Sequence, residues 1–370
     1  MGRHEGSYEP TGDTVRLRRA SPRGSDMSAF MERITGSQSP LSSERSLRWS
    51  LTLIRLGPAI ILLLLIIAFN LLSPVFLTVQ NVSNIVAQTS ALAVLAIGQL
   101  FVILVAGIDL SVGSVLALST VLGALVFTWN QGLGGMLSVA AFLLTGLIAG
   151  FLNGFMLTKG RLPHAFIPTL AMFYAASGLA LVLSNGRAIP HVPGIVVTLG
   201  SGYLGPLPVP VLLVAGLTLL AIVLTKRLKW GRWIYLVGGD KEAARRVGIP
   251  VDRVILSVFL ISGLMAGFAG VITAGRTASG YPTAGELAEL QAIAAVIIGG
   301  GSFFGGRGSV IGVLVGALIL GVIANGLNLL NVDEFWQLIV AGAIIVFAVE
   351  LDVLRRYLEG RFRTLQARGA

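Results

Sequence analysis

The sequence predicts an all-α integral membrane protein with about ten transmembrane helices. Of its 370 residues, 55% are hydrophobic and only 12% are charged, and the mean hydropathy is +0.86. Apolar runs recur from Leu51 to Val349, separated by short polar stretches. A bilayer can bury this much apolar surface, whereas a single soluble core cannot, so the composition excludes a water-soluble fold.

Residues 1–50 predict a disordered, basic tail on the cytoplasmic side, because they are rich in Ser, Gly and Arg and lack apolar periodicity. The run 51–72 is too long for the apolar part of a signal peptide and ends at Ser73-Pro74. We interpret it as an uncleaved first span. The transmembrane domain is then expected over 51–352, followed by a cytoplasmic tail, 353–370.

Nine further apolar segments follow the first span. Several of them, including 112–128 and 286–299, are shorter than the roughly 20 residues that a straight span needs. We therefore expect these two to be broken, tilted or re-entrant, and buried among other helices. The nine segments lie near residues 85–106, 112–128, 137–157, 165–183, 209–225, 254–274, 286–299, 309–325 and 335–350.

The positions of the basic residues predict the orientation. With ten alternating spans and both termini in the cytoplasm, all but two of the 27 Lys and Arg residues are cytoplasmic; Arg187 and Arg276 are the exceptions. This bias is the one that membrane insertion favours. It also accounts for the net charge of +10, so we expect contact with membrane lipid and none with nucleic acid.

Rows of glycine at four-residue spacing predict close helix contacts, because small residues let two backbones approach each other in a bilayer. We interpret the rows as packing seams inside the bundle or at a dimer contact. They comprise Gly146, Gly150 and Gly154, then Gly263 and Gly267, then Gly308, Gly312 and Gly316.

The largest predicted cytoplasmic loop, 226–253, contains the signals of a short helix. The segment begins with an acidic N-cap and first turn, continues through alanines to a basic last turn, and ends at a Gly and a Pro. Two interpretations remain open: a surface helix held by lipid headgroups, or a docking helix for a cytoplasmic partner. The residues are Asp240, Glu242, Ala243, Ala244, Arg245, Arg246, Gly248 and Pro250.

Asp109 and Ser111 lie at the predicted cytoplasmic end of the second span. Either side chain could cap the third helix, and Gly113 would allow a tight approach. We expect this structural role in preference to a contact with substrate. An acid at a membrane boundary costs much less than one at the midplane, so Asp109 does not require proton transfer.

The glycine-rich stretch 299–309 does not predict a nucleotide site. No Gly-Lys pair occurs anywhere in the chain, so a Walker-type loop is absent, and any ATP hydrolysis must belong to a separate polypeptide. We interpret Gly299, Gly300 and Gly301 as part of a flexible turn between short helices, with a bendable gate as the alternative.

A narrow polar stripe runs along the second span, where Asn84, Gln88 and Gln99 fall within about 60° of one another on a helical wheel. Uncharged hydrogen-bonding groups suit a neutral, hydroxyl-rich solute. Interhelical hydrogen bonding is the alternative for any single residue. Four further residues could add to such a path, namely Asn153, Gln291, Asn325 and Asn328.

Three stretches together resemble the ribose-type branch of the permeases of ATP-binding-cassette (ABC) importers. Glu242-Ala243-Ala244 followed by Gly248 resembles the coupling loop of these permeases. The stretches Gly107–Ser114 and Ala294–Ser309 resemble the sugar branch. The resemblance covers about residues 84–352.

The resemblance implies a transport subunit that is not itself an enzyme and binds no cofactor. The helix that contains Asp240, Glu242, Ala243, Ala244, Arg245 and Gly248 would sit in a cleft of a partner ATPase with tandem nucleotide-binding domains, which uses ATP and Mg²⁺. The other implied partners are a periplasmic or extracellular sugar-binding protein and a second permease chain, identical or different. The implied location is the bacterial inner membrane.

Several alternatives stay open. Permeases for branched-chain amino acids or nucleosides share the architecture. An ion-coupled secondary transporter would usually have a carboxylate near the midplane, whereas Asp109 and Glu350 are predicted near span ends. No cysteine is present and the three histidines are scattered, so we expect no metal site. Outward loops with four acids could dock a binding protein, or could simply be solvated: Glu286, Glu289, Asp333 and Glu334.

Overall fold

The computed structural model describes Gly2, residues 40–130 and 134–333, and separate positions from 335 to 353. Most of the predicted N-terminal tail and nearly all of the predicted C-terminal tail lie outside these residues. The chain divides into two units, 1–50 and 51–370, and every site considered below belongs to the second.

The described chain is mostly helical. Four two-residue strands form two antiparallel pairs, in which β1 (Ile189–Pro190) pairs with β4 (Ser279–Gly280), and β2 (Tyr203–Leu204) pairs with β3 (Leu207–Pro208). The helices are α1 (Pro40–Leu72), α2 (Val79–Leu104), α3 (Val112–Trp129), α4 (Gly134–Thr158), α5 (Phe166–Ser184), α6 (Gly194–Ser201), α7 (Val209–Lys226), α8 (Lys229–Gly239), α9 (Lys241–Arg246), α10 (Val251–Thr277), α11 (Ala288–Ile298) and α12 (Val310–Leu329).

Seven described helices are long and apolar enough to cross a membrane: α2, α3, α4, α5, α7, α10 and α12. Shorter apolar helical segments cover 56–72, 288–298 and 335–344. Each of the ten predicted segments therefore contains a helix in its described part, which confirms an all-α, multi-span membrane protein. The count of ten spans and the orientation of the termini stay predictions.

Helices α2, α3 and α10 form the centre of the bundle. In the most apolar 18-residue stretch of each of these helices, 67–72% is buried, against 22–28% for α4, α5 and α7. Among the fully buried side chains are Phe101 of α2, Leu116 of α3 and Phe259 of α10. The peripheral helices instead expose large apolar side chains, as expected of a surface that faces lipid.

Glycines form the seam between α4 and α10. A Cβ on Gly146 would overlap the Gly263 carbonyl, and a Cβ on Gly263 would overlap the Gly146 carbonyl. Gly150 packs in the same way on the Phe259 carbonyl. The predicted packing seam therefore lies inside the bundle. Of the third row, Gly312 and Gly316 pack on α11, whereas Gly308 lies in the preceding loop.

Helices α3 and α11 begin inside the bundle and not at its edge. A Cβ on Gly113, at the start of α3, would overlap the Gly285 carbonyl and the Glu289 carboxylate, just before and within α11. Two turns further along α3, the Tyr281 amide donates to Thr120 Oγ1 at 3.0 Å. The eleven residues of α11 extend only about 16 Å, half of a bilayer core. Helix α11 is therefore too short to cross the membrane by itself, whereas α3 is long enough, and the two helices meet at their N-termini.

The chain contains an inverted repeat that the sequence did not reveal. Helices α2 and α10 are antiparallel, because Gln88 lies beside Arg276 and Gly98 lies beside Met265. Each is followed by a connector, a short helix and an antiparallel return helix. The triplets α2–α3–α4 and α10–α11–α12 therefore run in opposite directions, an arrangement common in membrane transporters.

Candidate functional site

The helix predicted in the loop 226–253 is present as α9, and its cap is the one expected. Asp240 Oδ1 accepts hydrogen bonds from the amides of Glu242 (2.9 Å) and Ala243 (3.0 Å). At the other end, Gly248 has φ +82°, a left-handed conformation that glycine adopts without strain. The Ile249 amide then donates to the Ala244 carbonyl at 3.1 Å, which closes the helix.

The outer face of α9 is charged and exposed. Arg245 Nη1 donates to Glu242 Oε1 at 3.0 Å, and Arg245 Nη2 lies 3.3 Å from Asp252 Oδ1 on α10. Partial burial, together with the neighbouring charge of Arg245, lowers the pKa of Lys241 from its ordinary value. Only Ala244 of this helix is buried. The remaining residues of α9 are thus available to a partner.

Helix α8, which precedes α9 directly, was not predicted from the sequence. Its glycines, Gly231, Gly238 and Gly239, lower its helix propensity and concealed it. The available signal was the apolar spacing of Trp230, Trp233, Ile234 and Val237, which lie on one face of a helix.

Asp109 is the centre of a buried polar cluster. Its Oδ1 accepts hydrogen bonds from Ser111 N (3.0 Å) and Ser111 Oγ (2.6 Å), and its Oδ2 accepts from Ser262 Oγ at 3.0 Å. Asn153 Nδ2 donates to Ser111 Oγ at 2.9 Å. With its amide nitrogen facing the Asp109 carbonyl, the Gln99 side chain makes two 3.2 Å hydrogen bonds to the Asp109 backbone. The cluster joins α2, α3, α4 and α10.

The structure corrects the predicted location of Asp109. The prediction placed it at a membrane boundary, but the connector 105–111 turns back into the bundle after α2 ends. Asp109 is only 1% exposed and lies beside Ser262, eleven residues or about 16 Å along α10 from its start. The cost of burying the carboxylate is offset by the three hydrogen bonds that it accepts, and not by proximity to water.

Three of the predicted path residues lie together on one cavity system. Gln88 and Gln291 line a cavity of about 390 Å³, and Asn84 and Gln88 line an adjoining one of about 140 Å³. Arg276 borders both cavities, and its Nη1 donates to the Gln88 carbonyl at 3.4 Å. Neither Arg276 nor Gln337, another lining residue, was predicted as part of the path, although Arg276 stood out as one of two outward basic residues.

Three other predicted path residues are turned into helix contacts, which corrects their assignment. Gln99 and Asn153 belong to the Asp109 cluster, and Asn325 exchanges hydrogen bonds of 2.9 and 3.0 Å with Asn81 of α2. These three residues therefore fit the alternative interpretation, which is hydrogen bonding between helices. Asn328 is exposed, and its Oδ1 accepts a 2.8 Å hydrogen bond from Gln337 at the border of the cavity.

The stretch 299–309 forms the turn between α11 and α12. Gly299 is the C-cap of α11 and packs against the backbone of Gly312. Gly300 has φ +88°, and the Gly301 amide donates to the Val296 carbonyl at 2.8 Å. Ser309 Oγ then caps α12 by accepting from the Gly312 amide at 3.0 Å.

Glu289 is not on an outward surface, which corrects its predicted location. The segment that follows β4 descends along α3, so Glu289 is 5% exposed and contacts Gly113. Its Oε2 has no hydrogen-bond partner among the described residues. Glu286 and Asp333 remain exposed, and Glu334 is outside the described part of the chain. No group of three His, Cys, Asp or Glu side chains that could hold a metal occurs in the ranges described above.

A cavity bordered by several polar side chains among long apolar helices, with a capped helix exposed beside the bundle, is the arrangement expected of a membrane transport component. Residues 81–349 match the family described as branched-chain amino acid transport system / permease component. The chain belongs to this family of permease components of ABC transporters, as the resemblance implied. It is a transport subunit and not an ATPase.

Curated relatives match over most of the chain. It is 39% identical over 297 residues to the ribose import permease protein of Haemophilus influenzae, covering 79% of this chain and 91% of that protein. It is 40% identical over 301 residues to the ribose import permease protein of Bacillus subtilis, covering 80% and 92%. It is 38% identical over 322 residues to the D-allose transport system permease protein of Escherichia coli, covering 86% and 97%. No solved structure matches it.

Proposed function

We propose that the chain is the membrane-spanning subunit of an ATP-driven importer of a monosaccharide in the bacterial inner membrane. The main support is the similarity, over about four fifths of the chain, to permeases named for ribose and allose. In this proposal the chain has ten spans and cytoplasmic termini. It works with a second permease chain, an ATPase with tandem nucleotide-binding domains that binds ATP and Mg²⁺, and an external sugar-binding protein.

The chemistry of the cavity favours a sugar over an amino acid. The amides of Gln88, Gln291 and Gln337 and the guanidinium of Arg276 can donate hydrogen bonds to hydroxyl oxygens. The ammonium group of an amino acid would need an acceptor of opposite charge, and the described lining residues of the cavity include no acid. A neutral, hydroxyl-rich solute therefore fits this surface better.

Helix α9 is the proposed contact with the ATPase. In the Glu242→Lys variant, reversing the charge on the exposed first turn should lower ATP-dependent uptake by about tenfold or more, because like charges at an interface are strongly unfavourable. Membrane insertion should be unaffected, since the exposed Glu242–Arg245 pair contributes under about 1 kcal/mol. Uptake of labelled sugar into proteoliposomes with the purified ATPase and binding protein measures the effect.

The control for this prediction is Arg227→Glu, a charge reversal at an exposed residue that precedes α8. It should leave uptake within about twofold of the unaltered protein, as is usual for exposed sites away from contacts. Equal uptake by the Glu242→Lys variant and the unaltered protein would contradict the docking role.

A variant of the cavity tests the proposed path. The Gln291→Leu variant removes a hydrogen-bonding group from an exposed position on the cavity wall, and should reduce sugar uptake by roughly fivefold to tenfold. Gln80→Leu is the matched control, because Gln80 is exposed near the start of α2 and outside the cavity. If both variants transport equally well, Gln291 does not belong to the path.

A further inference from the structure

Helix α8 ends against the backbone of two other segments. Gly238, in its last turn, is buried, and a Cβ there would overlap the carbonyl oxygen of Leu104 and lie 2.6 Å from the amide nitrogen of Gly306. The Gly306 amide donates to that same Leu104 carbonyl at 2.9 Å. Three backbones thus meet at a point where no side chain fits.

A second contact fixes α8 to the turn between α11 and α12. Tyr235 Oη donates to the Gly308 carbonyl at 3.0 Å. Gly305 has φ +82°, and a Cβ there would lie 2.7 Å from the Gly238 carbonyl oxygen and 2.8 Å from Ala106 Cβ. The end of α8 is therefore enclosed between the connector that follows α2 and this turn.

The two enclosing segments lead to α3 and α11, the helices whose N-termini meet inside the bundle. Leu104 is the last residue of α2, and the connector after it continues through Asp109 into α3. Gly306 belongs to the turn that joins α11 to α12. A displacement of Gly238 would therefore act on both halves of the inverted repeat at once.

Helices α8 and α9 are joined by a single residue, Asp240, which hydrogen bonds with both. Asp240 ends α8, where its amide donates to the Leu236 carbonyl at 3.1 Å, and its side chain caps α9. No flexible linker separates the exposed helix from Gly238. Contacts between close-packed backbones transmit displacement because they cannot be compressed.

We propose that Gly238 is a positioning residue for transport, which transmits the displacement of α9 to the connector 105–111 and the turn 299–309. This inference rests on the proposed function, in which α9 is the contact with the ATPase. The small side chain is required because the motion passes through direct backbone contact. A larger residue would separate α8 from both segments. The ATPase would then hydrolyse ATP without moving α3 and α11.

The test compares two adjacent glycines in the reconstituted importer, in which sugar accumulated and ATP hydrolysed are measured together. In the Gly238→Ala variant, the amount of sugar imported per ATP should fall by roughly tenfold, within the usual range for coupling between two sites. The Gly239→Ala variant makes the same change one residue away, where a Cβ has nothing within 4 Å, and should keep the ratio of the unaltered protein. A merely structural defect would lower both rates together and leave the ratio unchanged.

A milder variant decides the case if Gly238→Ala fails to assemble. Tyr235→Phe removes only the hydroxyl that contacts Gly308, and should lower the ratio by about threefold. An unchanged ratio in Gly238→Ala, or in Tyr235→Phe where the former does not assemble, would overturn the inference. If the unaltered importer shows no ATP-dependent sugar uptake, the proposed function itself fails, and the inference with it.

Discussion

The Gly263→Ala variant is expected to destabilise the membrane domain strongly. The added Cβ would overlap the Gly146 carbonyl and lie 2.9 Å from both Cα and N of Gly150. These are backbone atoms of α4, so the two helices would have to separate along their seam. A loss of about 3 kcal/mol or more in the free energy of unfolding is expected, at the upper end for an overpacked core. Thermal unfolding of the detergent-purified protein, followed by tryptophan fluorescence, measures it.

Gly178→Ala is the matched control for this prediction. Gly178 lies within α5, and a Cβ there meets nothing within 4 Å. Because alanine favours a helix over glycine by about 1 kcal/mol, this variant should be as stable as the unaltered protein or slightly more stable. Similar unfolding midpoints for the two variants would show that the seam tolerates a methyl group and that the close approach is not required.

The Asp109→Ala variant is expected to have the second largest effect. It removes the acceptor of three hydrogen bonds, two from Ser111 and one from Ser262, in a site with almost no access to water. The serine hydroxyls can turn to other acceptors, but the Ser111 amide cannot. A destabilisation of about 3 kcal/mol is expected from the donors left unpaired. The same unfolding measurement applies.

The Ser262→Ala variant distinguishes the effect of losing the carboxylate from the effect of losing one of its hydrogen-bond donors. It removes one donor and leaves the two hydrogen bonds from Ser111 in place, so the expected loss is only about 1 kcal/mol. If Asp109→Ala were as stable as the unaltered protein, the cluster would not contribute to the fold. The carboxylate would then need another explanation, such as a contact made in a different conformation of the importer.

Local features of the structure could be predicted from the sequence because local interactions determine them. The cap at Asp240 and the end of the helix at Gly248 depend on neighbours within a few residues, and both were predicted. The short helix α11 was recognisable from the length of its apolar segment. Helix α8 was missed because its glycines lower its helix propensity, and one of them, Gly238, is required by the close contact with Leu104.

The depth of a residue in the bundle could not be predicted, because it depends on how the chain returns after a span. Counting along the sequence placed Asp109 and Glu289 near surfaces, and both lie inside because their connectors turn inward. A helical wheel has a similar limit. Gln88 and Gln99 share one stripe of α2, but eleven residues separate them by about 16 Å, so one faces the cavity and the other faces the backbone of Asp109.

The bond between Asp109 and Ser262 has a consequence for biosynthesis, because the two residues are 153 positions apart in the chain. At about 5–20 residues per second, a ribosome needs roughly eight to thirty seconds to reach Ser262 after Asp109. During this interval α2 and α3 enter the membrane before α10, which packs against both, exists. The centre of the bundle therefore closes late in translation. In a nascent chain that stops before α10, the Asp109 carboxylate lacks the hydrogen bond from Ser262.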